Sequence, residues 1–87
     1  KVSTAVPFAV VAYPNPYSDN FHLNLTTSSE ERVGVSIYDM TGKLLDKLEV
    51  GATEASELSI GDRYASGVYN VVVTQGNEVK TLRVVKR

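Results

Sequence analysis

A hairpin pattern between Val33 and Val50 constrains this chain more than any other stretch. Val33, Val35 and Ile37 alternate with Gly34, Ser36 and Tyr38, the two-residue period of a strand whose faces see different surroundings. Asp39-Met40-Thr41-Gly42 then interrupts the run. An aspartate opening a type I turn accepts hydrogen bonds from backbone ahead of it, and Gly42 supplies the positive φ that a following bulge needs. The chain should therefore reverse, and Leu44 to Val50 should return antiparallel. Leu44, Leu48 and Val50 are predicted to face inward, with Lys43, Lys47 and Glu49 outward. Leu45 and Asp46 break this alternation, through a bulge or a second apolar surface. A two-stranded ribbon is marginal in water, so further strands must cover its apolar side.

The rest of the chain supplies them. Phe8 to Tyr13 is rich in β-formers and reads as a first short strand, which Tyr13-Pro14-Asn15-Pro16 ends. Each proline lacks an N–H and pushes the residue before it to an extended shape, so the segment is a rigid corner that crosses over. After a turn at Tyr17 to Asn20, Phe21-His22-Leu23-Asn24-Leu25-Thr26 alternates cleanly, with Phe21, Leu23 and Leu25 inward and His22 and Asn24 in solvent. Thr27 to Glu31 is the next turn. Beyond the hairpin, Ala52 to Ile60 reads as a weaker strand with Leu58 and Ile60 inward, and 61–67 as a loop closed by Gly67. Val68 to Thr74 is dense in β-branched residues and fits a central strand. Tyr69, just inside it, suits a tyrosine that buries its ring and bonds its hydroxyl back to the preceding corner. Gly76-Asn77 is a two-residue hairpin signal, returning Glu78 to Lys86 beside that strand. No stretch has a helical period. The pattern predicts an all-β, immunoglobulin-like β-sandwich of about seven antiparallel strands, with Phe21, Leu23, Leu25, Val35, Ile37, Leu48, Tyr69, Val71 and Val73 in the core.

Several functions are argued against by composition. At 87 residues the chain is one domain. It has no cysteine, hence no thiolate nucleophile and no zinc site of the usual kind. No apolar run approaches the ~20 residues of a membrane-spanning helix, so no membrane insertion is expected. A chain that opens on Lys1, with no charged start or long apolar centre before Pro7, reads as a piece of a longer protein. Charge is uneven although the formal total is −1: Lys80, Arg83, Lys86 and Arg87 fall in the last eight residues with no acid among them. Positive charge on an edge strand discourages sheet-to-sheet pairing, and the same residues would equally serve as a docking tail. A nucleic-acid surface is disfavoured, because four cations on a slightly acidic domain support only weak, salt-sensitive contact.

Catalytic patterns are missing. There is no Ser-His-Asp spacing, no glycine-rich phosphate loop and no His or carboxylate cluster with ligand spacing, so neither an enzyme nor a cofactor is expected. His22 is the only histidine and reads as a surface residue. Glu30-Glu31 lies in a polar turn where adjacent side chains diverge. Asn24-Leu25-Thr26 fits a glycosylation sequon, which matters only in a eukaryotic secretory setting.

Four motifs in order carry a resemblance: Y-P-N-P (13–16), V-S-I-Y-D-M-T-G-K-L-L (35–45), A-S-G-V-Y-N-V-V-V (65–73) and a last strand ending L-R-V-V-K-R (82–87). This order and spacing resembles the C-terminal sorting domain of cargo proteins of the type IX secretion system of Bacteroidota. Tyr64 departs from the leucine that family members often carry before the A-S-G corner. The resemblance implies a secretion signal that is itself a fold. Residues 12–87 would be the sorting domain, and residues 1–11 the linker and start of the first strand, where a surface sortase cuts before anchoring the cargo to lipopolysaccharide. The implied partners are the type IX translocon, its shuttle components and the sortase. The implied route is export to the periplasm, then the outer membrane surface or release. Recognition would fall on the motif residues Pro14, Asn15 and Pro16; on Asp39 and Gly42; on Gly67 and Tyr69; and on Lys80, Arg83, Val84, Val85, Lys86 and Arg87. Exchange of Phe8 to Tyr13 between copies would give a homodimer. The rival reading is an adhesion or carbohydrate-binding module of the same fold, which would need an exposed aromatic platform drawn from Tyr17, Tyr38 and Tyr64.

Overall fold

The computed structural model describes residues 8–87, so most of the expected linker and cleavage region at 1–11 lies outside the described residues. Six strands form, all paired antiparallel: β1 (Ala9–Tyr13), β2 (His22–Thr26), β3 (Val33–Tyr38), β4 (Leu44–Val50), β5 (Gly67–Gln75) and β6 (Glu78–Lys86). β1 and β2 make a two-stranded sheet, and the others a four-stranded sheet in the order β4-β3-β5-β6.

The central hairpin forms as its pattern requires, with Val33 opposite Val50 and Val35 opposite Leu48. The register then slips between Ile37 and Tyr38, which face Asp46 and Leu44, so Leu45 is the extra residue of a bulge. The break at Leu45-Asp46 is therefore a bulge, and it has a consequence for neighbouring side chains. Asp46 takes the core-side position in line with Leu48 and Val50, while Leu44 is turned to the outer face and is 46% exposed. Leu44 was expected inward; one inserted residue reverses the face of everything beyond it.

The predicted strand at Ala52 to Ile60 does not form, so the described residues hold six strands in two sheets, without a seventh strand of an immunoglobulin-like sandwich among them. Local hydrogen bonds take its backbone instead. Glu54 N–H donates to Gly51 O, Glu57 N–H to Glu54 O and Leu58 N–H to Ala55 O, giving a single 3₁₀ turn at Ala55–Glu57. The Glu54 carboxylate also accepts from Gly51 N–H at 3.0 Å. A side-chain acceptor three residues on that bonds back to the chain offers the backbone a local alternative to a ladder. Only Ile60 pairs, as an isolated bridge with Phe21.

The core lies between the sheets. Phe21 and Leu23 from the small sheet's side meet Val33, Val35, Ile37, Val71, Val73 and Val84 from the large one, and all are buried. Leu25 and Leu48, expected inside, are half-buried against this cluster. Truncating a residue such as Phe21, fully enclosed, costs about 3–5 kcal/mol. Gln75 is a buried polar residue, and its amide is fully used. It accepts from Thr27 Oγ1 at 2.6 Å and donates to Ser29 O and Glu31 O, which fastens the β2–β3 connection to the end of β5.

Candidate recognition surface

The sheet register gathers most of the motif residues at one end of the molecule. Tyr38 faces Asn70, Asn70 faces Arg83, and Gly67 faces Lys86. The turn after β3, the start of β5 and the end of β6 are thus neighbours. Asp39, Met40, Thr41, Ser66, Gly67, Val68 and Tyr69 line a shallow groove of about 230 Å³ between them. Lys80 is the exception among the motif residues. It faces Val73, toward the other end of β5, and stands about 23 Å along the strand from Arg87.

The Asp39 turn is built as the sequence suggests. The Asp39 carboxylate accepts from Thr41 N–H at 2.9 Å, Thr41 Oγ1 at 2.6 Å and Lys43 N–H at 3.0 Å. The Thr41 hydroxyl and then the Lys43 amide hold this carboxyl below the usual aspartate value of 3.8. Gly42 has φ +88° with open space where a side chain would be. The Tyr69 hydroxyl donates to Ala65 O, the corner bond expected of it, so its ring is buried and its role is to hold the 61–67 loop.

The Y-P-N-P corner docks on β6. Both X–Pro bonds, Tyr13–Pro14 and Asn15–Pro16, are cis. Asn15 donates from Nδ2 to Arg83 O at 2.8 Å and accepts from Val85 N–H at 3.0 Å. Tyr17 N–H donates to Val85 O, and Arg87 N–H to Tyr17 O. These bonds cover the C-terminal half of an edge that would otherwise be unpaired. Pro14 and Pro16 flank this seam and are exposed.

Three expectations about side chains are corrected here. Tyr17, counted among spare surface aromatics, is 1% exposed; it packs on Phe21 with centroids 5.1 Å apart and donates to Gly61 O at 3.1 Å. Tyr64, also counted there, is half-buried, 4.9 Å from the Tyr69 ring, and its hydroxyl donates to the Asp46 carboxylate at 2.6 Å. Burial and then this bond push the Tyr64 phenol well up. Two of the three members of the proposed sugar platform are thus spoken for. His22 is half-buried rather than free in solvent, with Nδ1 at 2.8 Å from Leu58 O and the Tyr13 ring 5.8 Å away.

The basic strand divides by residue. Val84 is fully buried and belongs to the core rather than to any contact surface. Lys86 is engaged internally: Nζ donates to Tyr64 O at 3.1 Å and Asp62 O at 3.4 Å and lies 5.7 Å above the Tyr17 ring. Arg83, Arg87 and Lys80 are exposed, and Val85 is half-buried on the outer side of the sheet. No signal marked the structural parts played by Tyr17, Gly61 and Gln75, because a residue after a proline corner, a loop glycine and a strand-end amide carry no periodicity. Among the described residues no group of three or more His, Asp or Glu is placed to hold a metal ion, and no helix is long and apolar enough to cross a membrane.

A small two-sheet β module whose motif residues converge on one end is the class that fold and surface define. The chain belongs to the secretion system C-terminal sorting domain family, the sorting domain of type IX secretion, whose family model matches residues 11–87. Comparison with curated proteins and with solved structures gives no match.

Proposed function

We propose that this domain acts as a folded address: it directs the cargo it is attached to across the outer membrane by being recognised, without catalysing a reaction. Membership of the sorting-domain family supports export and secretion through the type IX system in general. The single observation that carries the folded form of the signal is the seam between Asn15, Tyr17 and β6, which makes motifs some seventy residues apart into one surface. The translocon and its shuttle components are the partners in this reading. The route runs through the periplasm of a Bacteroidota cell to its outer surface or the medium. Residues 12–87 form the sorting unit, and residues 1–11 hold the sortase cut, after which the cargo is joined to lipopolysaccharide.

A reporter fused ahead of residues 1–87 tests this reading in a type IX-competent cell. It should reach the surface, and the mass of the recovered reporter should show loss of the domain and gain of a lipopolysaccharide adduct. A reporter that stays in the periplasm contradicts the sorting role. One that reaches the surface at full mass contradicts cleavage alone. Strand exchange of β1 between copies is tested separately: light scattering at high concentration should show a dimer, and monomer throughout would end that idea.

A further inference from the structure

The four-stranded sheet is packed on one face only. Its core face meets β1 and β2, but no other described strand lies over its outer face, where β3 presents Gly34, Ser36 and Tyr38 and β5 presents Val68, Asn70, Val72 and Thr74, all half-buried. Across the half nearest the Asp39 turn, the rows read Leu44, Tyr38, Asn70, Arg83 and then Lys47, Ser36, Val72, Thr81. These rows hold two cations and no carboxylate. Arg87 continues the Arg83 side of β6, and the Asp39 carboxylate in the adjoining turn is bonded to Thr41 and Lys43. Glu49, the one outward-facing acid on β4, lies a row further on and is 3.6 Å from Arg32. Since the whole chain carries −1, positive charge here is a local excess against the molecule's sign.

We propose that this half of the outer sheet face is the docking surface for an acidic protein partner, whose carboxylates meet Lys47 and Arg83 across an apolar strip formed by Tyr38, Val68 and Val72. The proposal rests on the sorting reading above and specifies which surface is read. Charge complementarity selects the partner: separated cations flanking apolar residues steer an oppositely charged surface and penalise a like-charged one. The spacing also fits. Lys47 on β4 and Thr81 on β6 are three strand intervals apart, about 14 Å, a span that a protein surface bridges. Ser36 and Asn70 add hydrogen-bonding groups between the charges, and Thr81 adds one beside Arg83, as polar contacts in a protein interface require. A membrane surface suits the face poorly, because each cation contributes only about 1 kcal/mol at an anionic bilayer and these are few.

Charge reversal on one strand gives a matched test. Arg83 and Lys80 are three residues apart on β6 and point to opposite faces, so Arg83→Glu and Lys80→Glu change the net charge equally. In the reporter assay, Arg83→Glu and, on a different strand, Lys47→Glu should each lower surface reporter at least about tenfold. Lys80→Glu should stay within about twofold of the parent, and all three should melt as the parent does. If a reversal unfolds the domain, the Lys47→Gln, Arg83→Gln pair replaces it and should give a smaller but clear loss. Export of the Arg83 and Lys47 variants at the parental level would overturn the proposal while leaving the sorting role intact. Equal loss in Lys80→Glu would overturn it too, since charge rather than the face would then matter. Binding of the purified domain to phosphatidylglycerol vesicles, lost in the same variants, would assign the face to lipid instead. Failure of the unmutated chain to export is a different outcome, and it strikes the sorting reading itself.

Discussion

Asn15 and Tyr17 show how single residues convert a proline corner into a clasp. Asn15 uses both ends of its amide on β6, so Asn15→Ala removes two hydrogen bonds and should cost about 1–2 kcal/mol. Thermal melting checks the magnitude, and faster amide exchange at Val85 checks the site. Tyr17 adds a pH dependence. Burial, with Tyr69 and Asp62 acting in the same direction, pushes its phenol from 10.0 up to about 12. A folded-state pKa above the unfolded value means the protonated form is the one the fold favours. That contribution is complete below pH 10 and is lost as pH climbs through 12. Circular dichroism melts should therefore hold steady up to about pH 10 and decline beyond it, and Tyr17→Phe should flatten the decline. A decline unchanged by Tyr17→Phe would place its cause elsewhere, Tyr64 being the next phenol so held.

At the scale of elements, the hairpins were legible and the irregular connections were not. Alternation over Val33 to Ile37, the D-x-x-G turn and Gly76-Asn77 each specify a strand or reversal through local chemistry, and β3, β4, β5 and β6 follow them. The tyrosine corner was legible for the same reason, since its partner lies only four residues away. The 52–60 segment was misread because two inward apolar positions, Leu58 and Ile60, resemble the end of a strand, whereas the backbone before them closes on itself through Gly51, Glu54 and Ala55. The bulge was visible only as an ambiguity, and its resolution decides that Asp46 rather than Leu44 faces Tyr64. Contacts distant in sequence, such as Asn15 with β6 or Gln75 with the 27–31 loop, leave no pattern in one chain. Two glycines with the same φ separate local from tertiary demands. At Gly42 an alanine meets nothing, so Gly42→Ala should cost only the left-handed backbone penalty of about 1–2 kcal/mol. At Gly61 the same φ of +88° comes with a Cβ position 2.9 Å from Tyr17 Cζ and 3.1 Å from Phe21 Cε1. Gly61→Ala should therefore cost more, about 2–4 kcal/mol, and equal melting of the two variants would refute the packing role given to Gly61.

For the whole molecule, the motifs matter because the fold superimposes them on one end. Of the proposed docking residues only Arg83 was singled out for recognition by its motif, whereas Lys47, Val68 and Val72 are brought beside it by sheet register. Val84 and Tyr69 build the surface from beneath, Lys86 braces it through Tyr64 and Tyr17, and Arg83 and Arg87 remain available on it. Replacing all four cations of the last strand at once would therefore mix a structural loss at Lys86 with any loss of contact. Translocon dependence tests the central claim most directly. The measurement is the ratio of surface to periplasmic reporter fused to residues 1–87, in otherwise identical cells with and without the type IX outer-membrane translocon. The account predicts a reporter mostly at the surface in the first cell and confined to the periplasm in the second. The same ratio in both cells would contradict it.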